Sequence, residues 1–453
     1  MRSVQPSWAL TPEGVVQDPI ITWDDGLIVG CSGGGRHPGV HHQGDLSVEK
    51  LPGRLLLPGL VNAHSHAFQR AIRGHVQWRD AERGDFWSWR QAMYRAANAM
   101  DPDAFEAVSR LAFLEMAESG ITEVAEFHYV HHQTGGSPYD DPDELARRVI
   151  RAALDVGIRI CLLRVAYHRG GPGIELAPEQ ARFRADSPDE VLTAIQRLGT
   201  VADPRVRVGL APHSVRAVPP EWLPEFATFS GPIHAHVAEQ PAEVAACVAE
   251  TGLSPLALLA RAGLVHERFG AVHLTFPSAG DVDLMASAGA TAVVCPSTEL
   301  DLGDGLLPVD ARQRLHLAVG SDSHAMIDLF QEVRTLELHG RALAGRRHIL
   351  TPDDDDHGLA GRLLAAATAD GARCLGREGG QLIPGSPADF VTLDLRRPAA
   401  AGVPPLEAAA LVADSSWVDD VWVAGRLVVR GGRHPNRARI VEEASSVIRT
   451  LFS

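Results

Sequence analysis

Lysine is almost missing from this chain. Lys50 is the only one, and the other 41 of its 42 basic residues are arginines. Any mechanism that needs a lysine beyond residue 50 is thereby excluded. Cysteine is also sparse. Cys31, Cys161, Cys247, Cys295 and Cys374 are scattered and odd in number, so they read as reduced core residues of a cytoplasmic protein rather than a disulfide frame or a zinc ribbon. No apolar run approaches the roughly 18 residues of a membrane span, so no membrane association is expected. Met1 to Ile20 lacks the basic start and apolar centre of a secretory signal. A positive balance is absent too. The net charge is −15, which argues against nucleic acid as a partner but says little about a small substrate, because local arginines can override the global field.

What is present is ordinary for a globular protein, with 45% hydrophobic and 22% charged residues over 453 positions. The first 50 residues hold short β-type stretches at 7–10, 14–16 and 27–31. From Leu55 a different rhythm begins. Strands are expected at 55–61, 121–127, 158–165, 206–211, 233–237, 271–276, 291–295 and 317–320. Helical segments fall between them at 103–119, 142–156, 189–198, 241–250 and 281–287. Eight strands alternating with helices imply an α/β fold, a (β/α)8 TIM-like barrel. A doubly wound sheet would carry a glycine-rich phosphate loop after its first strand, and His64-Ser65-His66 stands there instead. Strand signals return after residue 380, with a hairpin over 417–430. The expected division is 1–54 and 380–453 as two parts of one small flanking β-domain, with the barrel over 55–379.

The chemistry is announced by His64 and His66. Residues two apart on a strand face the same way, so the two imidazoles lie side by side at the strand end, able to grip one metal ion. Pro58-Gly59 just upstream breaks regular pairing. With 21 histidines, chance alone gives about one His-x-His, so the bare pattern is weak. A second copy occurs at His234 and His236. The stronger signal is that polar residues sit at nearly every expected strand end, where barrel enzymes keep their sites. They are Glu126, His128 and Tyr129, then His213 and Arg216, then His236 and Glu239, then His273, then Asp322 and His324. His236 is favoured over His234 as a ligand because Glu239 follows it by three residues, which places an acid beside the substrate. His41, His42, His131, His132 and His168 read as surface or loop histidines.

This set resembles the amidohydrolase superfamily. Pro384-Gly-Ser-Pro-Ala-Asp389 and Val423-Ala-Gly-Arg426 look like that superfamily's C-terminal β-domain signatures. Binuclear members commonly bridge their metals with a carboxylated lysine, and no lysine follows Lys50, so a single-metal site remains. Within the superfamily the chain is similar to the formimidoylglutamate deiminases of histidine degradation. The stretches that carry this are His64-Ser-His-Ala-Phe-Gln-Arg70, Phe86-Trp-Ser-Trp-Arg90, Ala125-Glu-Phe-His-Tyr-Val-His-His132, His213-Ser-Val-Arg-Ala217, His234-Ala-His-Val-Ala-Glu-Gln240, Ser297-Thr-Glu299, Leu302-Gly-Asp-Gly305 and Gly320-Ser-Asp-Ser-His324. Leu300 and Asp301 depart from the family pattern.

The resemblance implies a reaction. His64, His66, His236 and Asp322 would hold one divalent metal, with Zn²⁺ the expected ion for three imidazoles and a carboxylate. Asp322, His273 and Glu239 would move protons while water replaces the imine nitrogen as ammonia. Gln69, Arg90, Tyr129, His213 and Arg216 would read a small dicarboxylate substrate, the arginines through bidentate pairs. A homodimer is the expected assembly. Two alternatives stay open: another single-metal deaminase, of guanine or a further amidine, and an inactive barrel acting as a binding protein.

Overall fold

The computed structural model describes residues 1–32, 48–77 and 86–452; His41 and His42 lie outside the described residues. Two eight-stranded sheets organise the chain. The first is the small sheet, built from β1 (Arg2–Thr11), β2 (Gly14–Gln17), β3 (Ile20–Asp24), β4 (Leu27–Ser32) and β5 (Val48–Pro58). The second is an all-parallel barrel. Its strands are β6 (Leu60–Ser65), β7 (Ile121–His128), β8 (Arg159–Ala166), β9 (Val206–Pro212), β10 (Ile233–Val237), β11 (Phe269–His273), β12 (Thr291–Val294) and β13 (His316–Val319). They lie side by side in chain order. The chain then returns to the small sheet with β14 (Phe390–Asp394), β15 (Val418–Val423) and β16 (Arg426–Val429). β14 pairs antiparallel with β5, which joins the two termini into one sheet as expected.

The expected strand over 55–61 is in fact two. Gly59 separates β5, in the small sheet, from β6, the first barrel strand. A Cβ at Gly59 would stand 2.2 Å from the Thr122 hydroxyl, so only glycine lets the chain cross between sheets there. The change of sheet therefore falls at residue 59, not after 54. The continuous apolar run hid the break because both halves are buried. β3 was also missed, and the expected strand over 271–276 ends at His273 instead. His273 and Leu274 have φ of 68° and 52°, which stops strand pairing. At the other end of the chain, the helix Arg437–Leu451 packs on the barrel helix Pro102–Glu118 rather than on the small sheet.

Helix boundaries follow local chemistry. Asp101 accepts the Ala104 N–H at 2.8 Å and Pro102 occupies the first turn. Ser187, Ser254 and Ser278 cap helices in the same way. Gly157, Gly252 and Gly289 end helices in the left-handed conformation. All eight residues of β7 and of β8 are buried, as parallel strands covered on both faces must be. Among the described residues no single helix is long and apolar enough to cross a membrane.

The barrel closes between β13 and β6. Ser65 and Asp322 form a parallel bridge, the Asp322 N–H donates to the His64 carbonyl at 3.1 Å, and the His66 N–H donates to the Asp322 carbonyl at 3.1 Å. The backbone groups of three nominated metal ligands are thus the seam of the barrel. A Cβ on Gly320 would sit 2.8 Å from the His64 carbonyl oxygen, so the seam also needs a glycine.

Candidate active site

Four ligand atoms, one each from His64, His66, His236 and Asp322, lie within 4.8 Å of one another, and all four residues are buried. His64 Nε2 and His66 Nε2 are each 3.3 Å from Asp322 Oδ1. The Nδ1 atoms of His66 and His236 face the carbonyls of Phe127 and His213, both at 3.0 Å. Those bonds fix the rings and leave each Nε2 as the ligand atom, the support a metal-binding imidazole requires. Among the described residues His64 Nε2 is fully buried with no hydrogen-bond partner, an expensive arrangement unless an ion completes it. Burial lowers the pKa of all three imidazoles, that of His64 to about 3, so they are neutral as ligands must be. The residues therefore fit one divalent ion. His234 does not join them: its Nε2 bonds the Cys374 carbonyl at 3.1 Å. His273, Cys295 and Asp322 also bring ligand atoms within 4.8 Å, but this grouping shares Asp322 and is the edge of the same site.

The acid–base groups stand beside the quartet. His273 Nε2 is 3.6 Å from Glu239 Oε1 and 3.9 Å from Asp322 Oδ2, while its Nδ1 is 3.6 Å from Glu299 Oε1. Burial alone would lower the His273 pKa. The Glu239 charge, with Glu299 and Asp322, outweighs burial and pushes it up to about 10. Glu239 itself is raised by burial against the pull of His273 and Arg216. Three of these turns are conformationally costly: Ala238, His273 and Asp322 have φ of 52°, 68° and 43°. Each such residue costs roughly 1–3 kcal/mol and persists only where surrounding structure imposes it, a common property of active sites.

One cavity is lined by the exposed faces of this apparatus (His66, His236, Asp322, Glu239, His273) and by Gln69, Arg90, Tyr129, His213 and Arg216. All five residues nominated for substrate binding thus open onto the same space as the acid–base groups. Arg216 Nε and Nη1 are buried with no hydrogen-bond partner among the described residues. Arg90 lies on the helix Phe86–Ala99, with its guanidinium carbon 5.7 Å from the centre of the Tyr94 ring. Gln69 Nε2 donates to the Tyr129 hydroxyl at 2.9 Å.

Other nominated strand ends have different work. Glu126 accepts from Ser65 Oγ at 2.6 Å and from the Ala67 N–H at 2.7 Å, and burial pushes it up to about 8. His324 sits between Ser65 Oγ at 3.2 Å and Ser321 Oγ at 3.1 Å, and Asn62 Nδ2 donates to Ser321 Oγ at 2.7 Å. This network lies under the seam and holds it. His131 is a correction. It is not at the surface but 3% exposed, with Nε2 3.1 Å from the Val165 carbonyl and bonded to Arg164. His132 and His168 are loop histidines bonded to the carbonyls of Arg184 and Ala185.

The cavity also holds residues that sequence reasoning did not nominate, notably Tyr94, Tyr167 and Phe183. Tyr94 follows Arg90 by four residues on one helix, a spacing that puts both on the same face. Tyr167 follows the end of β8, the one early strand end left without a candidate.

The Amidohydrolase family model matches residues 55–428. Formimidoylglutamate deiminase of Pseudomonas aeruginosa is 38% identical over 413 residues, spanning 89% of this chain and 91% of that protein. An amidohydrolase structure from Brucella melitensis superposes with a TM-score of 0.90 at 33% identity, with both chains covered in full. An adenosine deaminase from Xanthomonas campestris with bound zinc gives 0.82 at 26% identity, covering 99% of this chain and 98% of that one. With the family model spanning the barrel and the C-terminal strands of the small sheet, and the metal quartet at the barrel mouth, this chain belongs to the amidohydrolase family.

Proposed function

We propose that the protein hydrolyses N-formimidoyl-L-glutamate to N-formyl-L-glutamate and ammonia, a reaction of histidine degradation. The observation that carries this is one cavity lined both by His66, His236 and Asp322 of the metal quartet and by Arg90 and Arg216, with Arg216 Nε and Nη1 buried and without a hydrogen-bond partner among the described residues. An amidine at one end and carboxylates at the other call for those two features together. The 38% identity to a protein of that name supports the same reading.

A divalent ion held by His64, His66, His236 and Asp322, with zinc the expected one, would lower the pKa of water toward about 7. Asp322, within reach of both the ligand set and His273, accepts the proton that water gives up as it adds to the formimidoyl carbon. Glu239 and His273 stand together on the far side of Asp322. They carry that proton, and then the one on the newly formed hydroxyl, to the amidine nitrogen, so that the formyl C=O forms, the C–N bond breaks, and the nitrogen leaves as ammonia. Arg216 and Arg90 hold the carboxylates and so fix the carbon against the site.

A ring deaminase is the second reading. It is favoured by the aromatic walls of the cavity, Trp89, Tyr94, Tyr129, Tyr167 and Phe183, and by the adenosine deaminase relative. The arginines favour the first reading, because a neutral ring gives them no anion. The test is ammonia release from formimidoyl-glutamate, formimidoyl-aspartate, formimidoyl-glycine, guanine and adenosine. Formimidoyl-glutamate should be turned over best. Preference for either purine would overturn the proposal.

A further inference from the structure

Gln180 lies in a short turn of 3-10 helix, Pro178–Phe183, and was not a candidate for anything. Its surroundings leave it one orientation. The Ala177 N–H donates to Gln180 Oε1 at 2.9 Å, and a backbone N–H can only donate. The amide oxygen is therefore fixed, and the amide NH₂ faces the other way. It donates to the Tyr94 hydroxyl at 3.0 Å and to the Tyr167 hydroxyl at 2.8 Å.

Both phenol oxygens are thus acceptors toward Gln180, and each hydroxyl proton must point elsewhere. The two phenols lie close enough to act on one another, so one proton can bridge them, but not both. Among the described residues neither hydroxyl has another acceptor. Both rings line the cavity, and both are buried, at 4% and 3% exposure. Arg90 lies over the Tyr94 ring, and the Arg216 charge acts on Tyr94. Tyr167 is set back from the metal quartet by one ring. Its centroid is 4.7 Å from that of His213, which is 4.7 Å from that of His236.

We propose that Tyr94 and Tyr167, aimed by Gln180, form a carboxylate anchor in the part of the cavity beside Arg90 and Arg216. At most one of the two protons is taken up between the phenols, so the anchor presents at least one hydroxyl donor to the cavity. A carboxylate, which only accepts, satisfies it. A carboxamide of the same shape turns an NH₂ toward donors and leaves them unpaired, which is the kind of mismatch binding sites reject strongly. The anchor therefore selects a substrate whose remote end is ionised. Gln180 touches no substrate; it is a positioning residue. The identity of the ligand rests on the deiminase reading, whereas the direction of the two hydroxyls does not.

Gln180→Glu separates the anchor from mere structure. The glutamate still accepts the Ala177 N–H, but its second oxygen now accepts from both phenols. The hydroxyl protons turn away from the cavity while shape is kept. On metal-loaded protein the measurements are kcat and KM for formimidoyl-glutamate and for formimidoyl-glutamine, with glutarate binding by thermal shift. Gln180→Glu should raise KM for formimidoyl-glutamate about tenfold or more, with kcat and metal content nearly unchanged. It should also cut the preference for carboxylate over carboxamide by about tenfold. Tyr94→Phe and Tyr167→Phe should each raise KM by roughly 2- to 12-fold, the worth of one hydrogen bond. A selectivity ratio and KM that stay at wild-type values in all three variants would overturn the anchor and leave the deiminase reading standing. If the wild type ignores formimidoyl-glutamate yet is stabilised by glutarate, and Gln180→Glu is not, the anchor stands and the deiminase reading falls. No turnover and no glutarate effect in the wild type overturns both.

Discussion

The two ends of the cavity are built differently. The metal end is made of strand termini: His64, His66, His236, His273 and Asp322 all lie at or just past the ends of β6, β10, β11 and β13. Its backbone is the seam of the barrel, and its side chains are locked by carbonyl bonds and by costly turns at Ala238, His273 and Asp322. The anionic end is made of connections. Arg90 and Tyr94 come from a helix, Arg216 and Tyr167 from loops after β9 and β8, and Gln180 from a short turn. Reaction chemistry is thus placed on the rigid scaffold and substrate recognition on the segments between strands. That division lets one barrel keep its chemistry while its substrate changes.

The largest effects should come from the scaffold end. Chelation should abolish ammonia release, and about one equivalent of zinc per chain should restore it, as four ligands with no bridging lysine imply. Two tightly held ions by elemental analysis would break the single-metal assignment. Next come Asp322→Ala and His273→Asn, each expected to lower kcat by at least about 100-fold in a folded protein. Asp322→Ala should also weaken metal retention, whereas His273→Asn should not, because His273 borders the quartet through Asp322 without being one of its four ligands. Near-normal turnover in metal-loaded His273→Asn would remove it from the mechanism.

Arg216→Met probes the other end. A lost charged hydrogen bond in a closed site costs about 2–5 kcal/mol, so KM should rise roughly 30-fold or more. Metal content should stay constant, since Arg216 is not one of the four ligands. If the variant instead loses metal or kcat at unchanged KM, the two ends are not separable and the contrast fails.

The same contrast governs how much could be read in advance. The barrel was legible because parallel strands buried on both faces appear as short apolar runs, and the metal ligands because a strand has period two. His64 and His66 stood out by spacing, and the polar residues at the later strand ends gave that weak pattern its weight. Arg216 was legible as a polar residue at a strand end, but its role, and Arg90 altogether, came instead from family resemblance, and Tyr94, Tyr167 and Gln180 not at all. No short-range rule connects Gln180 to Tyr94, 86 residues away; tertiary packing makes that contact. The break at Gly59 was hidden for a related reason. The strand signal reports burial, and the chain is buried in both sheets it joins. His131 was misjudged because a polar residue in a loop is usually exposed, while here Arg164 and the Val165 carbonyl satisfy it inside.

The smallest expected effect lies between the two ends. The Tyr129 ring sits 5.1 Å from that of His66, on the metal side, and its hydroxyl accepts from Gln69 Nε2 at 2.9 Å and points its proton at Met93 Sδ, 3.4 Å away. Thioether sulfur is a weak acceptor, so that proton is readily redirected to a better one. A substrate carboxylate reaching the middle of the cavity is such an acceptor. Tyr129→Phe keeps the ring against His66 and removes only the hydroxyl, which also strands the Gln69 amide. One hydrogen bond is worth about 0.5–1.5 kcal/mol, so KM for formimidoyl-glutamate should rise roughly 2- to 12-fold, with kcat and metal content unchanged. A fall in kcat at constant KM would mean instead that the phenol acts on the reacting carbon. The boundary between the chemical and the recognition ends would then have to be moved to the far side of Tyr129, leaving only the helix and loop residues to read the substrate.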